Sequence, residues 1–273
     1  MSAEAVLDLS SFDDAPWPPV AVHSLVYKSF VRQAIDERFD LLVSVKEYSS
    51  EHLRTEGRFP ESGPEALALA EVRHCAYFAA LGGERAIANR FAETDNLVIA
   101  CRRAAAKSGT EFVVGALEGA WAALRLRGPV SVGVELALLI LAMPELDAGA
   151  RGHVERVAGS ALYFSGQGAE ARTHFEAALT MARGVGDRRS EGQLLDDLGL
   201  LDERQGRVDE ARINYESALS VALEVGDDRL ECRAHNGLGT LSVAQGRMEI
   251  ALEHLEGALV VARKLGDRRV EGH

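Results

Sequence analysis

A 40-residue period in the C-terminal half constrains this chain more than any other feature of its sequence. Three segments, 151–190, 191–230 and 231–270, align without gaps, and the second and third share 16 of 40 positions. Self-similarity at a period of 20 to 50 residues is typical of repeat architectures, in which each unit packs on its neighbours. A fourth unit begins at residue 271 and is truncated.

Each unit is predicted to contain two helices. In the second unit, apolar residues recur every three or four positions along two stretches, as on the buried face of a helix. Glycine follows each stretch, at Gly206 and Gly226, where a helix end favours a left-handed residue. Asp227 is then placed to cap the next helix with its carboxylate. The two apolar stripes comprise Leu194, Leu195, Leu198 and Leu201, then Ala211, Tyr215, Ala218, Leu219 and Ala222.

This pattern resembles the tetratricopeptide repeat. The closing proline of that family is absent, Leu255 replaces an expected aromatic residue, and the period exceeds the usual length of about 34 residues. The resemblance implies an all-α fold, a right-handed α-solenoid whose concave face is lined by the first helix of each unit. The positions that carry it are Leu198-Gly199, Leu238-Gly239, Ala171, Ala211, Ala251, Phe175, Tyr215, Ala178, Ala218 and Ala258.

The resemblance also implies that a protein or peptide ligand binds on the concave face. By position, the candidate contact residues there are Gln193, Asp196, Glu203, Arg233 and Asn236. The alternative for each of them is an ordinary solvated position on a helix surface, which is the common state of polar residues.

Residues 1–57 show a different sequence pattern from the repeats and are predicted to form a partial winged-helix-like segment. Two β-rich runs, 30–33 and 39–43, flank the polar residues 34–38, which favours a small β-hairpin. The passage SLVYKSFVRQAIDERFDLLVSVKEYSSEHL, followed by EVRHCAYFAAL, resembles the end of the winged helix in bacterial STAND-type signal-transducing ATPases. In that family tetratricopeptide-like repeats follow the winged helix, as they do in this sequence.

The STAND resemblance covers only the C-terminal part of such a protein. No phosphate-binding loop of the form G-x-x-x-x-G-K-[ST] occurs in the sequence. Phe39 stands where some relatives carry a nucleotide-sensing histidine. We therefore expect no bound nucleotide or other cofactor. We expect the chain to be a fragment, the product of a truncated gene model, or a protein that lost the ATPase domain by recombination.

Residues 64–147 are predicted to form degenerate helical hairpins that cap the solenoid. Pro64 opens a first helix through Leu81, since proline is tolerated in the first turn of a helix. Three further helices are expected over 95–106, 111–126 and 132–143, and Trp121 is expected to lie in the core. The repeats themselves are assigned to 148–273.

Composition excludes several classes of function. The formal net charge is −12, which disfavours a nucleic-acid binder, because such a protein needs basic groups to replace phosphate counterions. The most apolar run, 130–143, is shorter than the roughly 20 residues that a membrane helix requires. Three widely spaced cysteines predict reduced thiols and a cytoplasmic protein. No spacing typical of a catalytic or metal site occurs, so we expect no enzyme activity.

These observations favour a non-catalytic, partner-binding repeat module of a STAND-like regulator. A free-standing tetratricopeptide adaptor or peptide receptor is the main alternative, and a DNA-binding transcriptional regulator is disfavoured by charge. We also expect self-association through the C-terminal repeat, because Leu255, Leu259 and Val260 are predicted to be partly uncovered.

Overall fold

The structure is a computed structural model that describes residues 63–88, 93–107 and 110–266, together with 25, 31–33, 39–41, 51 and 54–56. The chain divides into two compact units, Met1–Gly128 and Pro129–His273. The predicted fourth repeat, which would begin at residue 271, lies outside the described residues.

In the first unit, two short strands and three helices are described. Strands β1 (Val31–Gln33) and β2 (Phe39–Leu41) pair antiparallel, with Val31 opposite Leu41. Most of the segment around them lies outside the described residues, so the structure does not support the winged-helix interpretation of residues 1–57. The helices are α1 (Pro64–Ala88), α2 (Thr94–Ala106) and α3 (Thr110–Arg127).

The three helices of the first unit lie close to their predicted positions. Helix α1 is broken at Gly82, whose φ of 66° is left-handed, one residue after the predicted helix end at Leu81. Helices α2 and α3 extend the predicted ranges by one residue at one or both ends. Trp121 is buried in α3, as expected for a core residue.

The second unit begins with α4 (Val130–Leu141) and continues as three helical hairpins. The sequence analysis assigned the residues of α4 to the region before the repeats, whereas the contacts group this helix with them. The first helices of the hairpins start at 148, 188 and 228, and the second helices at 168, 208 and 248, so the 40-residue period is confirmed. The six helices are α5 (Ala148–Phe164), α6 (Gly168–Val185), α7 (Arg188–Arg204), α8 (Val208–Val225), α9 (Asp228–Ala244) and α10 (Met248–Leu265).

The turns of the repeat have the predicted chemistry. Gly206 and Gly226 have φ values of 73° and 65°, a conformation that costs little only for glycine. Before α9, the Asp227 carboxylate accepts a hydrogen bond from the Leu230 N–H at 3.1 Å. Asp187 caps α7 in the same way, through the Ser190 N–H at 3.0 Å. The glycines therefore end helices, and the capping aspartates begin α7 and α9, at equivalent positions in the repeats.

Candidate functional site

The first helices of successive repeats lie side by side, since α5 contacts α7 and α7 contacts α9. Between α7 and α9 runs an open groove with a volume of about 590 Å³. Its walls are helix faces on which side chains recur every three or four residues. The lining residues are Asp196, Leu200, Glu203 and Arg204 from α7, Tyr215 from α8, and Arg233, Asn236, Gly237 and Thr240 from α9.

Tyr215 forms the floor of the groove. Its ring fits between two glycines, because a Cβ built on Gly199 would lie 2.7 Å from the ring and one built on Gly237 would lie 2.6 Å from it. The hydroxyl donates a 2.7 Å hydrogen bond to Glu203 Oε2. Burial and the nearby Glu203 carboxylate raise the pKa of Tyr215, so the phenol stays protonated. The floor is therefore a fixed aromatic ring that also orients Glu203.

One wall of the groove carries a cluster of charges centred on Arg233. The Arg233 guanidinium donates a 2.9 Å hydrogen bond to Asp197 Oδ1 and also contacts the Asp196 carboxylate. Arg156 lies 3.4 Å from the other oxygen of Asp197. Burial raises the pKa of Asp196 to about 6, although Arg233 opposes the shift. Adjacent residues on a helix point about 100° apart, yet the long Arg233 side chain reaches both aspartates from α9.

Two amide side chains on this face make no hydrogen bond with the described part of the chain. Asn236 lines the groove, and Gln193 lies about one helical turn before Asp196 on α7. Thr240, at the far end, donates to the Gly237 carbonyl oxygen at 3.0 Å. An unengaged amide offers both donors and an acceptor to a bound molecule.

The structure thus brings together four of the five residues predicted to contact a ligand. Asp196, Glu203, Arg233 and Asn236 line the groove, and Gln193 is not among its lining residues. Sequence reasoning missed Leu200, Arg204 and Thr240, although Leu200 and Thr240 each lie four residues after a predicted residue and Arg204 directly follows Glu203. It identified Tyr215 as the family aromatic without placing it in the groove.

The groove has no chemistry that would hold a metal. Across the described ranges, no three histidine, cysteine, aspartate or glutamate side chains are grouped so that they could hold an ion. Cys75, Cys101 and Cys232 are buried, and none of them forms a disulfide. None of the described helices combines the length and the apolar character needed to cross a membrane.

Comparison with known proteins agrees with this architecture. The family described as Tetratricopeptide repeat matches residues 154–224. The crystal structure of BtubC (BKLC) from P. vanneervenii aligns with a TM-score of 0.57 at 14% identity, covering 81% of this chain and 91% of that one. No curated protein sequence matches.

Two further structures have weaker alignments. One, described as the crystal structure of MamA, has a TM-score of 0.47 and 17% identity, and covers 67% of this chain and 96% of that one. A second, described as the crystal structure of MamA protein, has a TM-score of 0.46 and 16% identity, with coverages of 72% and 96%.

The hairpins, turns and groove define a helical-repeat protein-interaction module. More narrowly, the region that contains residues 154–224 is a tetratricopeptide module, with a 40-residue period.

Proposed function

We propose that the second unit binds an extended peptide segment of a partner protein in the groove between α7 and α9. One observation carries this proposal: polar and apolar side chains from two repeats converge on one open groove above a rigid aromatic floor. Such a groove is large enough for several residues of a peptide, and its lining is fixed by helices rather than by loops.

The contacts available in the groove match the chemistry of a peptide. Each peptide residue presents a backbone N–H and C=O, which the unengaged amide of Asn236 is able to pair with simultaneously. Leu200 is exposed at the groove wall and offers apolar contact to a ligand side chain. Arg233 is already paired with Asp196 and Asp197, so the Glu203 carboxylate is the charge placed to attract a ligand, and it would favour a basic group there.

A random peptide library displayed on phage tests this proposal with the full chain as bait. We expect enriched peptides to lose at least tenfold in affinity against Asn236→Ala and against Leu200→Glu, since both changes alter the centre of the contact. Glu216→Ala is the matched control, because Glu216 is exposed on α8 and does not line the groove. Peptides that bind all three variants with the same affinity would show that the ligand binds outside the groove.

We further propose that this module is the sensing or docking part of a STAND-like regulator and relays binding to an ATPase domain. Support comes from the winged-helix-like passage and from its order relative to the repeats. A phosphate-loop motif in the same reading frame upstream of Met1 would support this context. An intact promoter and ribosome-binding site at Met1 would favour the free-standing adaptor instead.

The remaining parts of the proposal concern chemistry and location. We propose that the module is not an enzyme and that it acts in the cytoplasm, where cysteines that form no disulfide are usual. The net charge of −12 disfavours the alternative of DNA binding.

A further inference from the structure

One carboxylate of the groove has no cation beside it. Glu203 lines the groove from α7 and is half-buried there. Its Oε2 accepts the 2.7 Å hydrogen bond from the Tyr215 hydroxyl, and no arginine, lysine or histidine among the described residues forms an ion pair with it. Charges that are partly removed from water are usually paired, so this carboxylate is suited to a cation that arrives with a ligand.

The second oxygen of this carboxylate lies near a hydroxyl whose proton is used elsewhere. Thr240 Oγ1 is 3.0 Å from the Gly237 carbonyl oxygen and 3.4 Å from Glu203 Oε1. A hydroxyl has a single proton, and only the carbonyl oxygen is within the usual O–H···O distance of roughly 2.5–3.0 Å. Two acceptor oxygens, one from α7 and one from α9, therefore lie 3.4 Å apart without a proton directed between them.

The two arginines of the groove are engaged by other groups. Arg233 pairs with two aspartates of α7. The guanidinium carbon of Arg204 lies 5.0 Å from the centre of the Tyr163 ring, which belongs to α5 on the other side of α7. Glu203 is therefore the one groove charge among the described residues that has no partner of opposite charge or aromatic ring.

The pairing of a carboxylate with a tyrosine hydroxyl belongs to the second repeat alone. Forty residues before and after, the position of Glu203 is uncharged and the position of Tyr215 has no hydroxyl. The repeat backbone therefore does not require either group. The counterparts are Tyr163 and Val243 for Glu203, and Phe175 and Leu255 for Tyr215.

We propose that the groove binds a lysine side chain of its peptide ligand, with the ammonium group between Glu203 Oε1 and Thr240 Oγ1. This inference rests on the proposed function, because it requires a peptide in the groove. An ammonium group has three N–H donors, so it donates to both oxygens at once. The apolar stem of the lysine packs on Leu200, which lies about one turn before Glu203 on α7 and is partly exposed.

The same geometry favours lysine over arginine. A guanidinium binds a carboxylate best through two parallel hydrogen bonds, one to each oxygen. The Tyr215 hydroxyl is already bonded to Oε2, so a guanidinium would have to compete with it. The Tyr215 ring also has no free face on which a guanidinium could stack, because it fits between Gly199 and Gly237. A compact ammonium group needs neither arrangement.

Selection from the phage-displayed library on the wild-type chain and on Glu203→Gln tests the inference. We expect wild-type selections to share a lysine, and these peptides to bind Glu203→Gln at least about tenfold more weakly. Glutamine keeps the shape of the side chain and an oxygen for the Tyr215 hydroxyl, and the melting temperature verifies that the fold is intact. Glu216→Gln is the matched control, since it removes one charge from α8 outside the groove.

Synthetic peptides then test the pairing itself. Acetylation of the shared lysine keeps the stem and removes the charge, so it should weaken binding to the wild type about as much as Glu203→Gln does. It should add little to the loss that Glu203→Gln already causes, because both changes remove the same contact. Arginine in place of this lysine should bind more weakly than lysine. A Glu203→Lys chain should select aspartate or glutamate at that position.

The outcomes separate this inference from the proposed function. Peptides that depend on Asn236 and Leu200 but share no lysine would overturn the lysine site and leave the groove as a peptide site. Additive losses from acetylation and Glu203→Gln, or tighter binding of the arginine peptide, would overturn it in the same way. A selection that yields no peptide dependent on Asn236 would overturn both the lysine site and the proposed function.

Discussion

The second and third repeats share their helix lengths and turns but differ in how their helices are held together. In the second repeat, the carboxylate of Asp202 is 1% exposed and accepts hydrogen bonds from Arg207 Nε at 2.7 Å and Asn214 Nδ2 at 2.8 Å. Arg172 of the preceding repeat also contacts it. In the third repeat the same position is Ser242, which donates to a carbonyl oxygen of its own helix.

The comparison distinguishes two sets of residues in the repeat, those that both repeats share and those that differ between them. Shared glycines and alanines set where helices end and how closely they approach, and these residues are the same in both repeats. The polar interior and the outer surface are free to differ, because the backbone does not depend on them. The repeats therefore diverge at positions such as Tyr215 against Leu255, Asp196 against Asn236, and Arg212 against Leu252.

The largest difference in stability between equivalent variants of the two repeats is expected when the buried carboxylate of the second repeat is removed. Asp202→Ala leaves Arg172, Arg207 and Asn214 without their shared acceptor, and we expect a loss of about 3–5 kcal/mol in the free energy of unfolding. Ser242→Ala at the equivalent position removes one local hydrogen bond and should cost only about 0.5–1.5 kcal/mol. Urea denaturation of both variants measures the difference, and equal losses would show that the two interiors are equivalent.

A smaller difference is expected at the paired glycines Gly199 and Gly239. A Cβ on either would lie 2.7 Å from the side chain of Tyr215 or Leu255, respectively. Tyr215 is confined by Gly237 and by its bond to Glu203, so Gly199→Ala should cost about 1–3 kcal/mol through overpacking. Leu255 is partly exposed and has room to rotate, so Gly239→Ala should cost less.

Thermal unfolding of the two alanine variants verifies this order. A larger loss for Gly239→Ala would mean that Leu255 is held as firmly as Tyr215. That result would contradict the partial exposure of the Leu255 side chain.

Most of the repeat architecture is predictable from local signals. A glycine that must be left-handed, as at Gly206 and Gly226, and an aspartate that caps the next helix, as at Asp227, determine where each helix stops and starts. Four of the five predicted contact residues reach the groove, because spacing along one helix defines its face. The contacts of Arg233 with Asp196 and Asp197, and of Tyr215 with Gly237, depend on the register between helices of different repeats, which spacing along one helix does not determine.

The next predicted effect is on the pH dependence of stability. It involves Asp196 of the second repeat, because the equivalent residue of the third repeat, Asn236, has no ionisable side chain. Burial raises the pKa of Asp196 from 3.8 to about 6, so between these values the folded chain holds a proton that the unfolded chain has released. Stability contributed by this group is present at low pH and falls as the pH rises through about 6. Asp196→Asn should remove that decline, which has a maximum slope of about 1.4 kcal/mol per pH unit.

Denaturation of the wild type and of Asp196→Asn at a series of pH values between 4 and 7 isolates this contribution. The difference between the two curves should change across that range. Asn236→Asp, which makes the third repeat resemble the second, is the companion variant. Parallel curves for the wild type and Asp196→Asn would show that Asp196 is ionised throughout the range.

The smallest effect is expected at an ion pair that the two repeats carry with opposite polarity. Arg188 of α7 pairs with Glu224 of α8, and forty residues later Asp228 of α9 pairs with Lys264 of α10. Both pairs are solvent-exposed, so water and salt screen them, and exchanging their charges should change little. Arg188 is not exchanged here, because it also contacts the buried Glu191. We expect the double variant Asp228→Arg/Lys264→Glu, which copies the polarity of the second repeat, to melt close to the wild-type temperature. A clear loss in melting temperature would show that the exposed pair of the third repeat contributes more than surface ion pairs usually do.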